Sequence, residues 1–345
     1  MVRRIAFALL LGLAAGCSAT STAVRPEATS SSRSTSAVLS PVASAKGWLA
    51  YQSVTSRGEF EDGIFLMRTD GSDDHQIVAG LPGRQTHPDF SHDGKRLTFD
   101  QLTSEQSQDQ VYVADANGAH ARLLAPCRPP GCASHWEPAW SPDGRRLAVA
   151  AAGGVRPDQP PARFGIAIVD LAKQTVRPVL DHASRVGQDH FPRWSPDGRR
   201  LVFWRGSERP GGAQAAVFVV NVNGTGLRQL TPWRMLAGDP DWSPDGARIL
   251  FTTRPLVDYP DAGRSELYTI RPDGTGLRRL TDYGANGPRA TQPRWIPDGK
   301  AILYTRTTQA GQPRHIYAIN ADGTGDVPVL TAKPIYTHPI LQPTP

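Results

Sequence analysis

The sequence predicts an all-β chain folded as a six-bladed β-propeller, with four antiparallel strands in each blade. Two observations carry this: a motif that returns at a nearly constant spacing, and chain ends that each hold part of one further copy. The motif opens as Pro88-Asp89-Phe90-Ser91-His92-Asp93-Gly94 and returns as Pro138-Ala139-Trp140-Ser141-Pro142-Asp143-Gly144. It follows again as Pro192-Arg193-Trp194-Ser195-Pro196-Asp197-Gly198, Pro240-Asp241-Trp242-Ser243-Pro244-Asp245-Gly246 and Pro293-Arg294-Trp295-Ile296-Pro297-Asp298-Gly299. The motif aspartates Asp93, Asp143, Asp197, Asp245 and Asp298 lie 50, 54, 48 and 53 residues apart. That period suits one four-stranded blade per copy.

Each copy divides into elements for physical reasons. The segment before Ser-Pro-Asp-Gly reads as the first strand. Ser-Pro-Asp-Gly is a hairpin turn: Pro pre-sets φ, Asp bonds nearby backbone, and Gly accepts the left-handed conformation. A second, apolar strand follows, as in Leu97-Thr98-Phe99, Leu201-Val202-Phe203 and Ile302-Leu303-Tyr304. A third, such as Val217-Phe218-Val219-Val220, ends in a further turn such as Pro272-Asp273-Gly274, and a fourth, such as Leu277-Arg278-Arg279-Leu280-Thr281, completes the unit. Gly47-Trp48-Leu49-Ala50-Tyr51 matches a second strand with no first strand before it. His338-Pro339-Ile340-Leu341 matches a first strand and then stops. The two ends together make the sixth blade, which leaves no open sheet edge at the seam. Frequent Gly (33) and Pro (31) fit a fold with this many turns.

On these residues the repeat resembles the TolB-type propeller repeat, over residues 46–345. The same blade occurs in binding proteins and in the propeller of prolyl oligopeptidases, so the resemblance implies a fold more firmly than a function. Residues 18–45 do not read as the α/β domain that precedes the propeller in TolB. No Gly-x-Ser-x-Gly elbow of a hydrolase occurs in the chain.

Residues 1–17 read as an export signal. Arg3 and Arg4 supply the positive start, and residues 5–15 form an apolar run too short to span a bilayer. Leu13-Ala14-Ala15-Gly16-Cys17 resembles a bacterial lipobox, although Ala14 stands where that pattern has Leu. The resemblance implies lipidation at Cys17 and attachment at the outer face of a bacterial membrane, in the periplasm or on the cell surface; the alternative is an ordinary cleaved signal. Residues 18–45, rich in Ser, Thr and Ala, read as a flexible tether. Cys127 and Cys132 flank Arg-Pro-Pro-Gly and suit a local disulfide in an oxidising compartment, in preference to a pair of metal ligands. The formal charge of +6 comes from bases spread over the repeats, as at Gly144-Arg145-Arg146. They read as solvated turn flanks, and no nucleic-acid partner is expected.

The recurring aspartates read as turn chemistry, and Trp140, Trp194, Trp242 and Trp295 as packing between blades. The positions that vary are more informative. The residue before each motif proline is His87, Glu137, Phe191, Asp239, Gln292 or His338, and His190 stands one place earlier in its copy. In a propeller the first strand lines the central channel. His87, Glu137, His190, Asp239, Gln292 and His338 are therefore the candidate binding residues, gathered at one channel mouth, either as a ligand site or as a ring of hydrated or mutually paired polar groups. The chain reads as a monomeric, non-catalytic binding or scaffolding protein of the cell envelope, holding a protein, peptide or glycan, with no cofactor, no resident metal and no catalytic residue. The alternative is a propeller lyase or hydrolase using the same His and acidic groups. Labelling cells with a fatty-acid analogue should mark the wild-type protein and leave the Cys17→Ser variant unmarked and free of the membrane. An unmarked wild-type protein would point to ordinary secretion.

Overall fold

The computed structural model describes residues 47–54, 62–102, 109–124, 134–153, 163–182, 187–209, 212–253, 265–284, 287–307, 314–330 and 337–344. The export signal, the tether, Cys17, Cys127 and Cys132 lie outside the described residues, as do 154–162 and 254–264 within the connecting loops. The chain divides into residues 1–35 and a second unit, 36–345, which holds all of the described ones.

The described strands form six four-stranded sheets. The first joins β1 (Trp48–Val54), β2 (Asp62–Arg68) and β3 (His75–Ile77) to β24 (Thr337–Leu341) from the far end of the chain. Blade 2 contains β4 (Arg84–Phe90), β5 (Arg96–Leu102), β6 (Gln110–Asp115) and β7 (Arg122–Leu123). Blade 3 contains β8 (Ser134–Trp140), β9 (Arg146–Gly153), β10 (Arg163–Asp170) and β11 (Thr175–His182). Blade 4 contains β12 (Gln188–Trp194), β13 (Arg200–Arg209), β14 (Gly212–Asn221) and β15 (Arg228–Gln229). Blade 5 contains β16 (Ala237–Trp242), β17 (Ile249–Thr253), β18 (Leu267–Ile270) and β19 (Arg278–Arg279). Blade 6 contains β20 (Arg289–Trp295), β21 (Ala301–Thr307), β22 (Arg314–Asn320) and β23 (Val327–Leu330). The outermost strands β7, β15 and β19 are only two residues long, which blunts the exposed edges.

The second strand of each blade is sandwiched between neighbouring sheets. Both faces are therefore buried, which explains why it reads as a continuous apolar run. Leu49, Tyr51, Leu97, Phe99, Leu201, Phe203, Ile249, Phe251, Ile302 and Tyr304 are all fully buried. Six apolar clusters result, one at each interface between adjacent blades. The motif tryptophans belong to this packing, as the repeat predicts. Trp140 and Trp194 donate their indole N–H to the carbonyls of Asp89 and Ala139 in the preceding blades, each at 3.1 Å.

The turn chemistry also holds. Asp93 accepts from the Ser91 hydroxyl at 2.5 Å and from the Lys95 N–H at 3.1 Å, and the same pair of bonds recurs at Asp143, Asp197 and Asp245. One expectation needs correction. The arginines after these turns are not all solvated flanks. Arg96, Arg146 and Arg200 lie over the rings of Trp140, Trp194 and Trp242, at 4.3, 4.8 and 4.9 Å from the ring centres. Each ties its blade to the next through a cation–π contact.

The seam closes as the split motif predicts. β24 pairs antiparallel with β1 through Leu49↔Leu341, Ala50↔Ile340 and Gln52↔Thr337. Beyond it the Gln342 amide donates to the Gly94 carbonyl at 2.6 Å, and Gly94 has φ +67°. A Cβ there would lie 2.2 Å from the Pro343 carbonyl oxygen, so only glycine lets the tail settle on this turn. A chain ended at Lys333 loses β24 and uncovers the edge of β1. Burial of Ile340 and Leu341 goes with it, and melting should fall by roughly 10 °C or more, with aggregation. If calorimetry gives the truncated and full chains one melting temperature, the seam is not what holds the ring.

Candidate functional site

Each innermost strand carries the same irregularity. The pairing register shifts at Thr86/Asp89, Trp136/Ala139, His190/Arg193, Gly238/Asp241 and Thr291/Arg294, and opposite β24 at Ala50/Gln52. In every case the bulge contains the motif proline and the residue before it. That preceding residue is left-handed throughout: φ is 52° at His87, 54° at Glu137, 50° at Phe191, 48° at Asp239, 53° at Gln292 and 51° at His338. This conformation costs a non-glycine residue about 1–2 kcal/mol. Proline has no N–H to lose from the ladder, so it suits the bulge.

The bulge turns these six residues toward the axis, but they do not form one ring of hydrated groups. They divide into two sets of three. Glu137, Asp239 and Gln292 each accept a hydrogen bond from the backbone N–H of the corresponding residue in the next blade. The donors are Phe191 at 2.7 Å, Gln292 at 3.1 Å and His338 at 3.3 Å. His87, Phe191 and His338 instead meet ring to ring. The ring centres of His87 and His338 are 4.5 Å apart, those of His87 and Phe191 5.2 Å, and those of Phe191 and His338 5.9 Å. Three blades thus contribute a clasp and three an aromatic plug. His190 stands beside Glu137 at 3.3 Å and stacks on Trp204 at 4.6 Å.

On one side of the plug lies a cavity of about 280 Å³. Of the residues singled out from sequence, His87, Gln292 and His338 line it; Glu137, His190 and Asp239 do not. Its other walls include Arg84, Thr86, Asp100, Asp109, Trp136 and Arg314, which the motif does not reveal. Asp100 accepts from Thr86 at 3.0 Å and binds the His87 ring at Nδ1, 2.8 Å away. Register could have found this contact, because Thr86 pairs directly with Asp100 across the first hairpin.

Charge at the mouth follows from these contacts. Burial pushes His87 toward neutrality, but the Asp100 carboxylate and, further off, Glu137 outweigh it and raise its pKa. Burial acts on His338 with the positive charges of His87 and Arg193 behind it, so its pKa falls well below the imidazole range. Burial pushes Glu137 up, but His190, His87 and the Phe191 N–H together bring it below the usual value. Burial, with the Asp100 charge behind it, lifts Asp109 to about 7. Burial lifts Asp239 to about 6 against the Gln292 N–H. Among the described residues, no group of three or more His, Cys, Asp or Glu side chains is placed to hold a metal ion.

On the other side of the plug the channel opens into a funnel of about 190 Å³ built from three six-membered rings. The outer ring is His92, Pro142, Pro196, Pro244, Pro297 and Pro343. The middle ring is Phe90, Trp140, Trp194, Trp242, Trp295 and Leu341, and the floor is Asp89, Ala139, Arg193, Asp241, Arg294 and Ile340. Every member is a motif position; the outer and middle rings repeat in kind from blade to blade, while the floor and the opposite mouth vary. The floor carries a charge quartet missed in the sequence, although four of the six residues after the motif proline are charged. Arg193 lies 3.7 Å from Asp89, and Arg294 lies 3.6 Å from Asp89 and 3.7 Å from Asp241. Asp89 and Asp241 also accept the N–H groups of Trp140 and Trp295, each at 2.9 Å. Burial still raises both, Asp89 to about 6 and Asp241 to about 7, with Arg193 opposing.

These features define a closed six-bladed β-propeller with a plugged polar channel, symmetric at one end and individual at the other. No family model matches the chain. Over 81 residues, 24% of this chain, it is 32% identical to the Tol-Pal system protein TolB of Geobacter sulfurreducens, a match spanning only 17% of that protein's length. In fold the propeller is TolB-like. It superposes on the crystal structure of TolB from Acinetobacter baumannii with a TM-score of 0.63 at 16% identity, covering 86% of this chain and 66% of that one. Hydrazine synthase from Kuenenia stuttgartiensis gives 0.65 at 13% identity, covering 87% of this chain and 47% of that one. At such identities the likeness establishes the fold alone.

The quartet makes stability depend on pH. Between about pH 4 and 7 the unfolded chain releases a proton that folded Asp241 keeps, so this residue's contribution to stability falls as pH rises through that window. His135, lowered by burial to about 4, and His338 act in the opposite sense, so the difference between proteins is the quantity to measure. Urea unfolding of Asp241→Asn against wild type should show the variant losing its share of the decline. A shift from 3.8 to about 7 sets roughly 4 kcal/mol as the upper bound. A difference that stays constant across the window would mean the carboxyl is ionised throughout.

Proposed function

We propose that the chain is a non-catalytic binding or scaffolding protein of the cell envelope, with the individual channel mouth as its partner-facing site. The observation that carries this reading is the division of polar groups around the plug. Glu137, Asp239 and Gln292 are engaged by backbone N–H groups of neighbouring blades, which leaves them poor candidates for proton transfer. His87 is held by Asp100, which raises its pKa against the effect of burial. The walls of the mouth differ from blade to blade, as recognition of one partner requires, whereas the outer and middle rings of the opposite funnel repeat. The partial sequence match to TolB supports an envelope location and a protein partner there. The lipobox-like segment at Cys17 supports a membrane anchor.

A second reading, a propeller enzyme, draws on the His87–Asp100 pair, which has the spacing of a base and its orienting carboxylate. The packing of the His87 ring against Phe191 and His338 in the plug weighs against it, because those contacts take up the ring that would have to reach a substrate.

A photo-crosslinking residue placed at Trp136 or Asp109, in cells expressing the full chain, should trap an envelope partner. The same probe at Asp273, on an exposed outer turn, should trap none. Crosslinks from Asp273 alone would place the partner on the rim and remove the mouth from the argument.

A further inference from the structure

Among the described residues of the mouth wall, one cation, Arg314, has no carboxylate paired with it. Asp100 is engaged by Thr86 and His87. Asp109 is carried toward its neutral form by burial, with Asp100 adding to the effect. Arg314, at the start of β22, stands half-buried in the same wall. Among the described residues the Arg314 guanidinium makes no hydrogen bond or ion pair, yet its charge is felt at the axis, where it helps keep His338 neutral. A half-sheltered guanidinium with no protein acceptor among the described residues offers its N–H donors to a ligand, a demand that water meets in its absence.

The chemistry that meets that demand is specific. A guanidinium offers a planar fork that matches a carboxylate in two parallel bonds. Trp136 in the same wall supplies an apolar face for the body of a ligand. A cavity of about 280 Å³ admits a small molecule or the last residue of a chain, and not a folded domain. Building on the mouth as the binding place, we propose that this cavity takes a carboxylate group, gripped by Arg314 with His87 and Arg84 facing it and Trp136 covering the ligand body. The carboxylate belongs either to a small acid or to the C-terminus of a peptide. A neutral Asp109 donates to such a group and does not repel it.

The probes are succinate, its uncharged diamide, and an N-acetylated pentaalanine with a free or an amidated C-terminus, each titrated into the full chain by calorimetry and tryptophan fluorescence. Succinate or the free-ended peptide should bind. The diamide and the amidated peptide should bind at least about 10-fold more weakly. Arg314→Gln should lose about 10-fold or more in affinity for the acid while melting within about 2 °C of wild type, since nothing in the protein leans on that side chain. Arg314→Lys should fall between the two, keeping the charge without the fork. Preference for the free-ended peptide over succinate assigns the chain end, and the reverse assigns the small acid. If the diamide binds as tightly as succinate, or Arg314→Gln binds succinate unchanged, the mouth stays a binding place but the carboxylate inference is overturned. If no probe binds at all, the carboxylate inference is overturned, and crosslinking from Trp136 or Asp109 decides the mouth by itself.

Discussion

Proline has no N–H and fixes its own φ, so it stands in a strand only at an edge or where the ladder is interrupted. Here it stands at the same interruption in all six innermost strands, immediately after a residue forced to positive φ. A residue preceding proline is ordinarily driven to extended conformations, so this combination is unfavourable each time it occurs. It persists because the neighbours hold it. The N–H groups of Phe191, Gln292 and His338 are each bound by the side chain one blade back. The N–H groups of Trp140 and Trp295, two residues past their prolines, are bound by Asp89 and Asp241. Four of the six bulges, those of blades 1, 3, 4 and 6, are thus held by the adjacent blade, and the one in blade 1 depends on β24 arriving from the far end of the chain.

That constraint separates the two ends of the channel. On the turn side, every residue of the funnel is set by the motif: proline for the turn, tryptophan for the interface, and a residue beneath them that clasps or fills. Substitution there touches the ring itself. On the opposite side the walls come from strand ends such as Arg84, Asp100, Trp136 and Arg314, where the repeat imposes nothing. The same backbone therefore carries a conserved-in-kind scaffold and a face free to vary from blade to blade. Binding sites on rigid repeats commonly take this form, because affinity needs varied side chains and precision needs an invariant frame.

The fold was legible because the turn chemistry recurs. Five copies of one motif, and a sixth split between Trp48 and Leu341, gave blade number, strand order and seam. The site was only half legible. Position relative to proline picks out the six residues that sit in the bulges, since the bulge is a property of the repeat. It could not say which of them face solvent, because that depends on what the next blade offers. Glu137 and Asp239 look like candidate ligands in sequence and are clasps in the fold; His87 and His338 look alike and carry opposite pKa shifts, because only His87 has a carboxylate opposite. Arg314 lies at the edge of its third strand, with no motif to mark it, and only the closed ring brings it near His87. Likewise Arg96, Arg146 and Arg200 read as solvated until the neighbouring indole is in place.

His87 belongs to both halves of the molecule. Its ring completes the plug against Phe191 and His338, and it also stands in the mouth wall, held by Asp100. Phe191 and His338 come from blades 4 and 1, so the plug lies where β12 and the seam strand β24 meet blade 2. A ligand at the mouth acts on a group that is already part of the closure. Anything that binds the closed ring and not the unfolded chain adds to stability in proportion to RT ln(1 + [L]/Kd). The charges of His87 and Arg314 both lower the His338 pKa, and an anion beside them would act on it in the opposite sense. The contact through which a ligand at the mouth would reach the seam strand is that of the two imidazoles, whose ring centres lie 4.5 Å apart.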